Sequence, residues 1–410
     1  MILYFMNAQS VQDSFKQKPI QVASPQQEIS QSPSDLSSFG RNKLILFLGL
    51  LFVFLLIVTG DIITKKSTLL ANTAPSPTNA NNQQGYGSYS TPTPHITGSV
   101  YWGAFAYKNN HSQNSITLQQ FEADAGKNVA IDHVGYIAWP SGFPSYRMSQ
   151  ARREGAIPMI TWMSGSAKLS DIIAGKYDKY IISFARSVKK WKHPFFLRFD
   201  HEMNGNWYGW SEGVNGNTNG QYALMWQHVH TIFTNQGVVN ATWVWCPSAV
   251  VNSVRGQSKF AITDQYPGNA YVDWVCMDGY NRYNGIGTAW TSFTDVFSQT
   301  YTQLTTSLAP SKPLMIGEFS SSEDAVVPTR KSSWFTDALT TQLPQNFPLI
   351  KAIVLFNIWH PQGKPFDWRI ESSANAQAAF RAGIASPYYA TNSFYSIDCS
   401  TGYCPIPPLK

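Results

Sequence analysis

Two glutamates occupy positions where chemistry is expected: Glu202, closing the apolar run FFLRFDHE, and Glu318, inside PLMIGEFS. Paired carboxylates can divide the work across a glycosidic bond. One protonates the departing oxygen and the other attacks the anomeric carbon from the opposite face. Rings on which the C–H faces of sugars could stack lie close by in the sequence or at the ends of similar runs: Trp139, Trp162, Trp207, Tyr280 and Trp359. Each of them could equally be core packing. In an extended strand Arg198, Asp200 and Glu202 would share a face, so that a guanidinium lies below the carboxylate pair and favours the ionised form of a nucleophile. A plain buried Arg198–Asp200 ion pair is the alternative.

Other chemistries fit less well. His201-Glu202 opens like a zinc-binding helix, but Gly205 stands where the second histidine is needed. Neither a nucleophile elbow nor a P-loop occurs. Two-carboxylate catalysis needs no metal and no cofactor, and none is expected.

The elements that must position these residues are short apolar runs. Eight read as strands buried on both faces: Val100–Ala106, His133–Trp139, Ala156–Met163, Phe195–Glu202, Ala241–Cys246, Val272–Tyr280, Pro313–Phe319 and Lys351–Trp359. Segments of helical spacing separate them, as in Lys179–Lys190 and Tyr222–Phe233. Strand and helix alternating eight times predict an α/β fold of the (β/α)8, or TIM, barrel type, with its site at the C-terminal strand ends. A doubly wound open sheet is the rival, but no Gly-rich phosphate turn follows Ala106. In an eight-stranded barrel, strands four and seven face each other roughly 13 Å apart, which leaves about 5–6 Å between two inward glutamates. That is nearer the retaining separation of about 5–5.5 Å than the inverting one.

Composition agrees with a neutral, hydroxyl-rich partner: 14% of residues are aromatic and only 13% charged, well below the usual quarter. The net charge is +6, but its basic residues are scattered, so nucleic acid is not an expected partner. Of four cysteines, Cys399 and Cys404 enclose a loop suited to a local disulfide. Cys246 and Cys276, inside apolar runs, read as buried free thiols.

Ahead of the barrel domain (98–385), residues 1–43 read as a disordered tail. Residues 44–63 begin with the uninterrupted apolar run from Leu44 to Gly60 and read as a transmembrane signal anchor. Residues 64–97, rich in Ser, Thr, Pro and Asn, read as a flexible linker. A tether between a membrane span and a compact domain suits a catalytic domain held outside the cell membrane. Residues 386–410 are a C-terminal extension that either packs on the barrel or projects from it. A monomer is expected.

The segment Arg198–Trp210, RFDHEMNGNWYGW, resembles the fourth-strand signature of glycoside hydrolase family 26, retaining enzymes of clan A best known as β-mannanases. The resemblance continues through TWVWCPS, YPGNAYVDWVCMDGYN, KPLMIGEFS and FNIWHPQGKPFDWRI and covers about residues 98–385. It implies that Glu202 is the acid/base and Glu318 the nucleophile. It further implies that His201 supports the acid/base, Trp207 borders the scissile bond, Tyr280 bonds the nucleophile with Asp278 below it, and Trp359 floors the reacting sugar. Because His201 would face away in a regular strand, a kink at the strand end is implied. Two departures concern specificity: Asp200 replaces an apolar or aromatic residue, and strand two ends in Trp139-Pro140 instead of a histidine. The activity implied is an endo-β-1,4-mannanase. A β-1,3-1,4-glucanase or β-1,3-xylanase of the same family is the alternative, and a catalytically silent carbohydrate-binding barrel is the alternative of another class.

Overall fold

A computed structural model of the chain describes residues 99–106, 117–249, 260–283, 285, 288–359, 366–399 and 402–410. The anchor, tail and linker expected over 1–97 lie outside these residues. Among the described residues, no helix is long and apolar enough to cross a membrane.

Eight parallel strands close on themselves in sequence order: β1 (Val100–Phe105), β2 (Ile131–Ala138), β3 (Ile157–Met163), β4 (Phe195–Phe199), β5 (Ala241–Trp245), β6 (Trp274–Asn281), β7 (Leu314–Ser321) and β8 (Ile350–Phe356), with β1 paired to both β8 and β2. This is the expected (β/α)8 barrel. Each strand run of the sequence is recovered to within a few residues, because strands buried on both faces must be apolar almost throughout.

The helices fill the outer layer. Among them are α1 (Leu118–Ala125), α2 (Ser145–Arg153), α3 (Leu169–Ile173), α4 (Asp178–Trp191), α5 (Gln221–Asn235), α6 (Ile262–Gln265), α7 (Phe293–Gln303), α8 (Arg330–Asp337) and α9 (Ala374–Ile384). In α4 the spacing of Ile181, Phe184, Ala185 and Val188 puts one apolar stripe against the barrel. Burying a ring such as Phe184 contributes about 1.5–3 kcal/mol. Asp178 in the first turn and Lys189 and Lys190 in the last complement the helix dipole. Ser292 and Asp295 form a capping box at the start of α7.

Two apolar layers result. One lies between strands and helices and contains Trp162, whose ring stacks on Phe184 at 4.4 Å and whose Nε1 donates to the Tyr180 hydroxyl. Trp162 is therefore core, not a sugar-binding ring: Thr161 is the neighbour that faces the barrel axis, so alternation sends Trp162 outward. The second layer fills the lower barrel with Tyr101, Ile131, Ile157, Phe196, Val244, Met315 and Val354.

The C-terminal extension packs on this lower end. Its strand β9 (Tyr389–Ala390) pairs with β1, and Phe394 and Ile406 join the lower apolar layer. Backbone and side-chain bonds fix it there: Tyr101 Oη donates to Pro407 O at 2.9 Å and Trp274 Nε1 to Ile406 O at 2.8 Å. Cys399 and Cys404 are paired in a disulfide. So are Cys246 and Cys276, contrary to the expectation of free thiols. The register that sets Trp245 beside Val275 makes Cys246, just past the end of β5, a neighbour of Cys276 on β6, which the sequence runs taken singly do not reveal.

Candidate active site

β4 stops at Phe199, three residues short of the expected end, because the chain turns sharply: Asp200 has φ 40° and Glu202 φ 52°. Non-glycine residues in this left-handed region cost about 1–3 kcal/mol each and persist only where surroundings hold them. The surroundings are explicit. The Asp200 carboxylate accepts from Ser164 N at 2.7 Å and Ser164 Oγ at 2.6 Å, and Tyr222 Oη donates to Asp200 O at 2.8 Å. Glu202 N donates to Cys246 O at 2.6 Å and Trp210 Nε1 to His201 O at 2.8 Å. The kink carries His201 and Glu202 to the barrel mouth together, and it swings Asp200 away from Arg198. The expected shared face of Arg198 and Asp200 does not form, and neither does an ion pair between them.

Arg198 instead gathers the opposite wall. Its Nη1 donates to Asp278 Oδ2 at 2.7 Å, its Nη2 to Glu318 Oε1 at 2.5 Å and its Nε to Thr161 Oγ1 at 2.8 Å. Gly317 makes room for this: a Cβ there would lie 2.7 Å from Asp278 Oδ1 and 3.0 Å from Arg198 Nη1. Glu318 also accepts from Tyr136 Oη at 2.5 Å and, through its other oxygen, from the Tyr280 hydroxyl. His201 Nε2 lies 3.1 Å from Tyr208 Oη and 3.8 Å from Glu318 Oε1. Burial, with Arg198 adding to it, holds His201 well below the usual imidazole value, so it is neutral.

The two glutamates are thereby driven apart. Burial alone would raise Glu318, but Arg198 and the hydrogen bonds from Tyr136, Tyr280 and Arg198 outweigh it and keep the carboxyl below the ordinary glutamate value. Glu202, equally buried, receives one side-chain bond, from Trp207 Nε1 at 2.8 Å. Burial first and the charge of Glu318 second push it up to about 7, against opposing pulls from Arg282, the Trp207 N–H and Arg198. One carboxyl is thus set to hold a proton and the other to stay ionised, which is the division acid–base glycoside chemistry requires.

Of the residues singled out in the sequence, Arg198, His201, Glu202, Trp207, Asp278, Tyr280 and Glu318 meet here. Trp359 stands half-buried beyond β8, bridged to Asp367 with the Arg369 guanidinium 5.6 Å from its ring. Trp162 is elsewhere, as described above. Two partners escaped the sequence reading. Tyr208, in the loop after the kink, stacks on Trp210 at 4.2 Å and reaches His201. Tyr136 escaped because β2 carries a bulge between His133 and Gly135. The extra residue flips the parity, so Tyr136 turns to the axis and Trp139 turns out to pack on Phe199 and Tyr180.

His201, Asp278 and Glu318 also lie close enough to share a cation among the described residues. The Arg198 guanidinium already bonds two of the three and supplies their counter-charge.

Residues 160–329 match the family model for Glycosyl hydrolase family 26. Endoglucanase H of Acetivibrio thermocellus is 33% identical over 275 residues, which is 66% of this chain and 29% of that protein. Mannan endo-1,4-beta-mannosidase A and B of Caldalkalibacillus mannanilyticus is 34% identical over 86 residues, 20% of this chain and 15% of that one. The match thus spans less than a third of either relative's length. Among solved structures, the catalytic domain of the Bacillus sp. JAMB-750 GH26 endo-beta-1,4-mannanase superposes with a TM-score of 0.54 at 15% identity, over 73% of this chain and 90% of that one, a likeness of fold. The segment that matches glycosyl hydrolase family 26 holds both glutamates and the kink between β4 and its loop.

Proposed function

We propose that this chain is a retaining glycoside hydrolase that cuts a β-1,4-linked mannan or glucomannan internally. One observation carries the reading: two buried glutamates at one barrel mouth whose surroundings drive their proton affinities in opposite directions. In the first step a Glu318 carboxylate oxygen attacks the anomeric carbon while Glu202 gives its proton to the glycosidic oxygen. The C–O bond to the leaving sugar breaks and a glycosyl ester of Glu318 remains. Glu202, now a carboxylate, takes a proton from water as the water oxygen attacks the same carbon and Glu318 departs ionised. Arg198, Tyr136 and Tyr280 hold Glu318 in place and ionised. Neutral His201, packed between Tyr208 and the nucleophile, orients without adding charge. Trp207 borders the bond being cut and Trp359 floors the reacting sugar.

A second reading, β-1,3-1,4-glucan, is favoured by the relative whose match runs longest, an endoglucanase by name. Reducing-sugar release from mannan, glucomannan, lichenan and β-1,3-xylan decides between them. Release from a mannan is the expected result. Release from lichenan alone supports the second reading, and release from none supports a silent binding barrel. Proton NMR of the first product should show the β-anomer, and an initial α-anomer would refute retention.

The apolar run over 44–63 and the linker over 64–97 support display of a monomeric domain outside the cell from a membrane anchor. The full chain should then sediment with membranes, and removal of residues 1–97 should release a soluble, active, monomeric domain. Uncleaved full chain recovered wholly in the soluble fraction would count against the anchor.

A further inference from the structure

Lysine is a costly residue to bury, and Lys331 of α8 is fully buried. Burial pushes its amine down to about 8; Glu323, Asp367 and Glu371 pull the other way, and Arg369 adds to the fall. Its bonds show what the burial serves. Nζ donates to Asp367 O at 2.8 Å, to Arg369 O at 2.7 Å and to Ser372 Oγ at 2.8 Å. Ser372 Oγ in turn donates to Glu323 Oε1, which lies 3.9 Å from Nζ. An ammonium carries three protons and here meets three acceptors, so only the charged form satisfies them all.

All three acceptors belong to one strap, residues 366–372, which runs back along the residues after β8. Trp368 N donates to Ile358 O at 3.0 Å and Ile370 N to Asn357 Oδ1 at 2.8 Å. Successive groups of an extended chain point to opposite sides. Lys331 takes the carbonyls of Asp367 and Arg369, while Ser320 Oγ of β7 donates to that of Trp368 between them at 2.5 Å. The side chains divide in the same way. Asp367 and Arg369 pair with each other at 2.6 Å, and the Arg369 guanidinium lies 5.6 Å from the Trp359 ring. Trp368 turns instead to Tyr280, with ring centres 4.8 Å apart, and the Tyr280 hydroxyl bonds Glu318. The strap therefore supports both a partner of the nucleophile and the ring proposed as the sugar floor.

We propose that Lys331 is a positioning residue of the active site: through the strap it sets Trp368 against Tyr280 and Arg369 against Trp359. It does so from the outer helical layer, by way of backbone carbonyls. The proposal rests on the reading of Glu318 as nucleophile and of Trp359 as sugar floor, and it adds a residue that neither role requires. An apolar side chain would fill the same space without burying a charge. The ammonium is kept for the strap, because its two backbone acceptors flank Trp368, the strap residue that packs on Tyr280.

The test compares Lys331→Met, which keeps the length of the side chain and removes its donors, with the parent, both as the full chain. On the polysaccharide that the parent cleaves, kcat/KM should fall about tenfold to a hundredfold, as small displacements around a reacting centre do. The acid limb of the pH profile should move to higher pH, because a Tyr280 hydroxyl less firmly held stabilises the Glu318 carboxylate less. The other groups facing Glu318, which are Arg198, Tyr136, Asp278, His201 and Glu202, are unchanged by the substitution. Amide hydrogen exchange over 366–372 should quicken while β1 to β5 keep the parent's rates. A lysine that serves the fold alone would lower stability but leave kcat/KM and the acid limb unchanged wherever the fold persists; that result would overturn the proposal. Should Lys331→Met fail to fold by circular dichroism, Ser372→Ala carries the test, since it removes one of the three acceptors. A smaller loss with the limb moved the same way supports the proposal, and an unchanged rate and limb overturn it. Exchange is read without turnover. If the parent hydrolyses nothing, the proposed function fails, whereas quickened exchange confined to the strap still supports the hold of Lys331 on it and unaltered strap exchange overturns that hold.

Discussion

The two ends of the barrel are made by the same eight strands and could hardly differ more. At the lower end Tyr101, Ile131, Ile157, Phe196, Val244, Met315 and Val354 close an apolar layer that Phe394 and Ile406 of the tail complete. At the upper end Arg198, Asp278, Glu318, Glu202 and His201 are equally inaccessible but polar. The lower end gains free energy from every group it buries. The upper end buries charges that would rather be hydrated, and it recovers that cost through ion pairs and hydrogen bonds of short, fixed geometry. Chemistry is therefore confined to the upper end, and only substitutions at the lower end should change stability without changing activity.

The largest effect is expected where the upper end loses its counter-charge. Arg198→Met leaves the Asp278 and Glu318 carboxylates facing each other without a partner, which should cost about 3–5 kcal/mol in a denaturant titration. It also frees the nucleophile to rise in pKa, so kcat/KM should drop by at least about a hundredfold. Near-normal activity in this variant would mean that Arg198 is only a structural ion-pair partner.

The lower end should lose stability alone. Phe394→Ala removes a ring packed 5.2 Å from Tyr101 and should cost about 3–5 kcal/mol of stability. At temperatures where the fold persists, kcat should be unchanged, because the Phe394 ring packs on Tyr101 in the lower layer. A fall in kcat with stability intact would show that the tail acts on the site.

A smaller and finer distinction comes from pH. Activity should decline as pH rises through about 7, where Glu202 loses its proton, and at the acid end below the ordinary glutamate range, where Glu318 gains one. The effect on stability follows from the same shift. The folded pKa of Glu202 lies above its unfolded value, so the native state holds the extra proton between about 4.5 and about 7. That contribution is fully present below the unfolded value and is lost as pH rises through 7. Burial pushes Asp200 up to about 7 as well, so Glu202→Gln should reduce this dependence without abolishing it, and an unchanged slope would mean that Glu202 does not contribute.

The strands were legible because burial on both faces leaves a long apolar trace; the signature running out of β4 carried Glu202 and the kink, and the segment KPLMIGEFS carried Glu318. What stayed hidden depended on local geometry that breaks a simple period. The bulge at His133–Gly135 exchanged the roles of Trp139 and Tyr136, and a strand-end position taken without its parity put Trp162 in the site instead of in the core. The Cys246–Cys276 pairing needs the register of two strands, and the seating of the tail needs the floor it covers. Neither is a property of the segment itself.

The division of labour between the glutamates is tested most directly by azide rescue on a dinitrophenyl glycoside. Glu202→Ala keeps the nucleophile, so its glycosyl ester should accumulate and added azide, which needs no general base, should release a β-glycosyl azide. Glu318→Ala lacks the nucleophile, and azide entering from the vacated face should give the α-glycosyl azide. Opposite anomers from the two variants are the predicted result; the same anomer from both would contradict the assignment of acid/base and nucleophile.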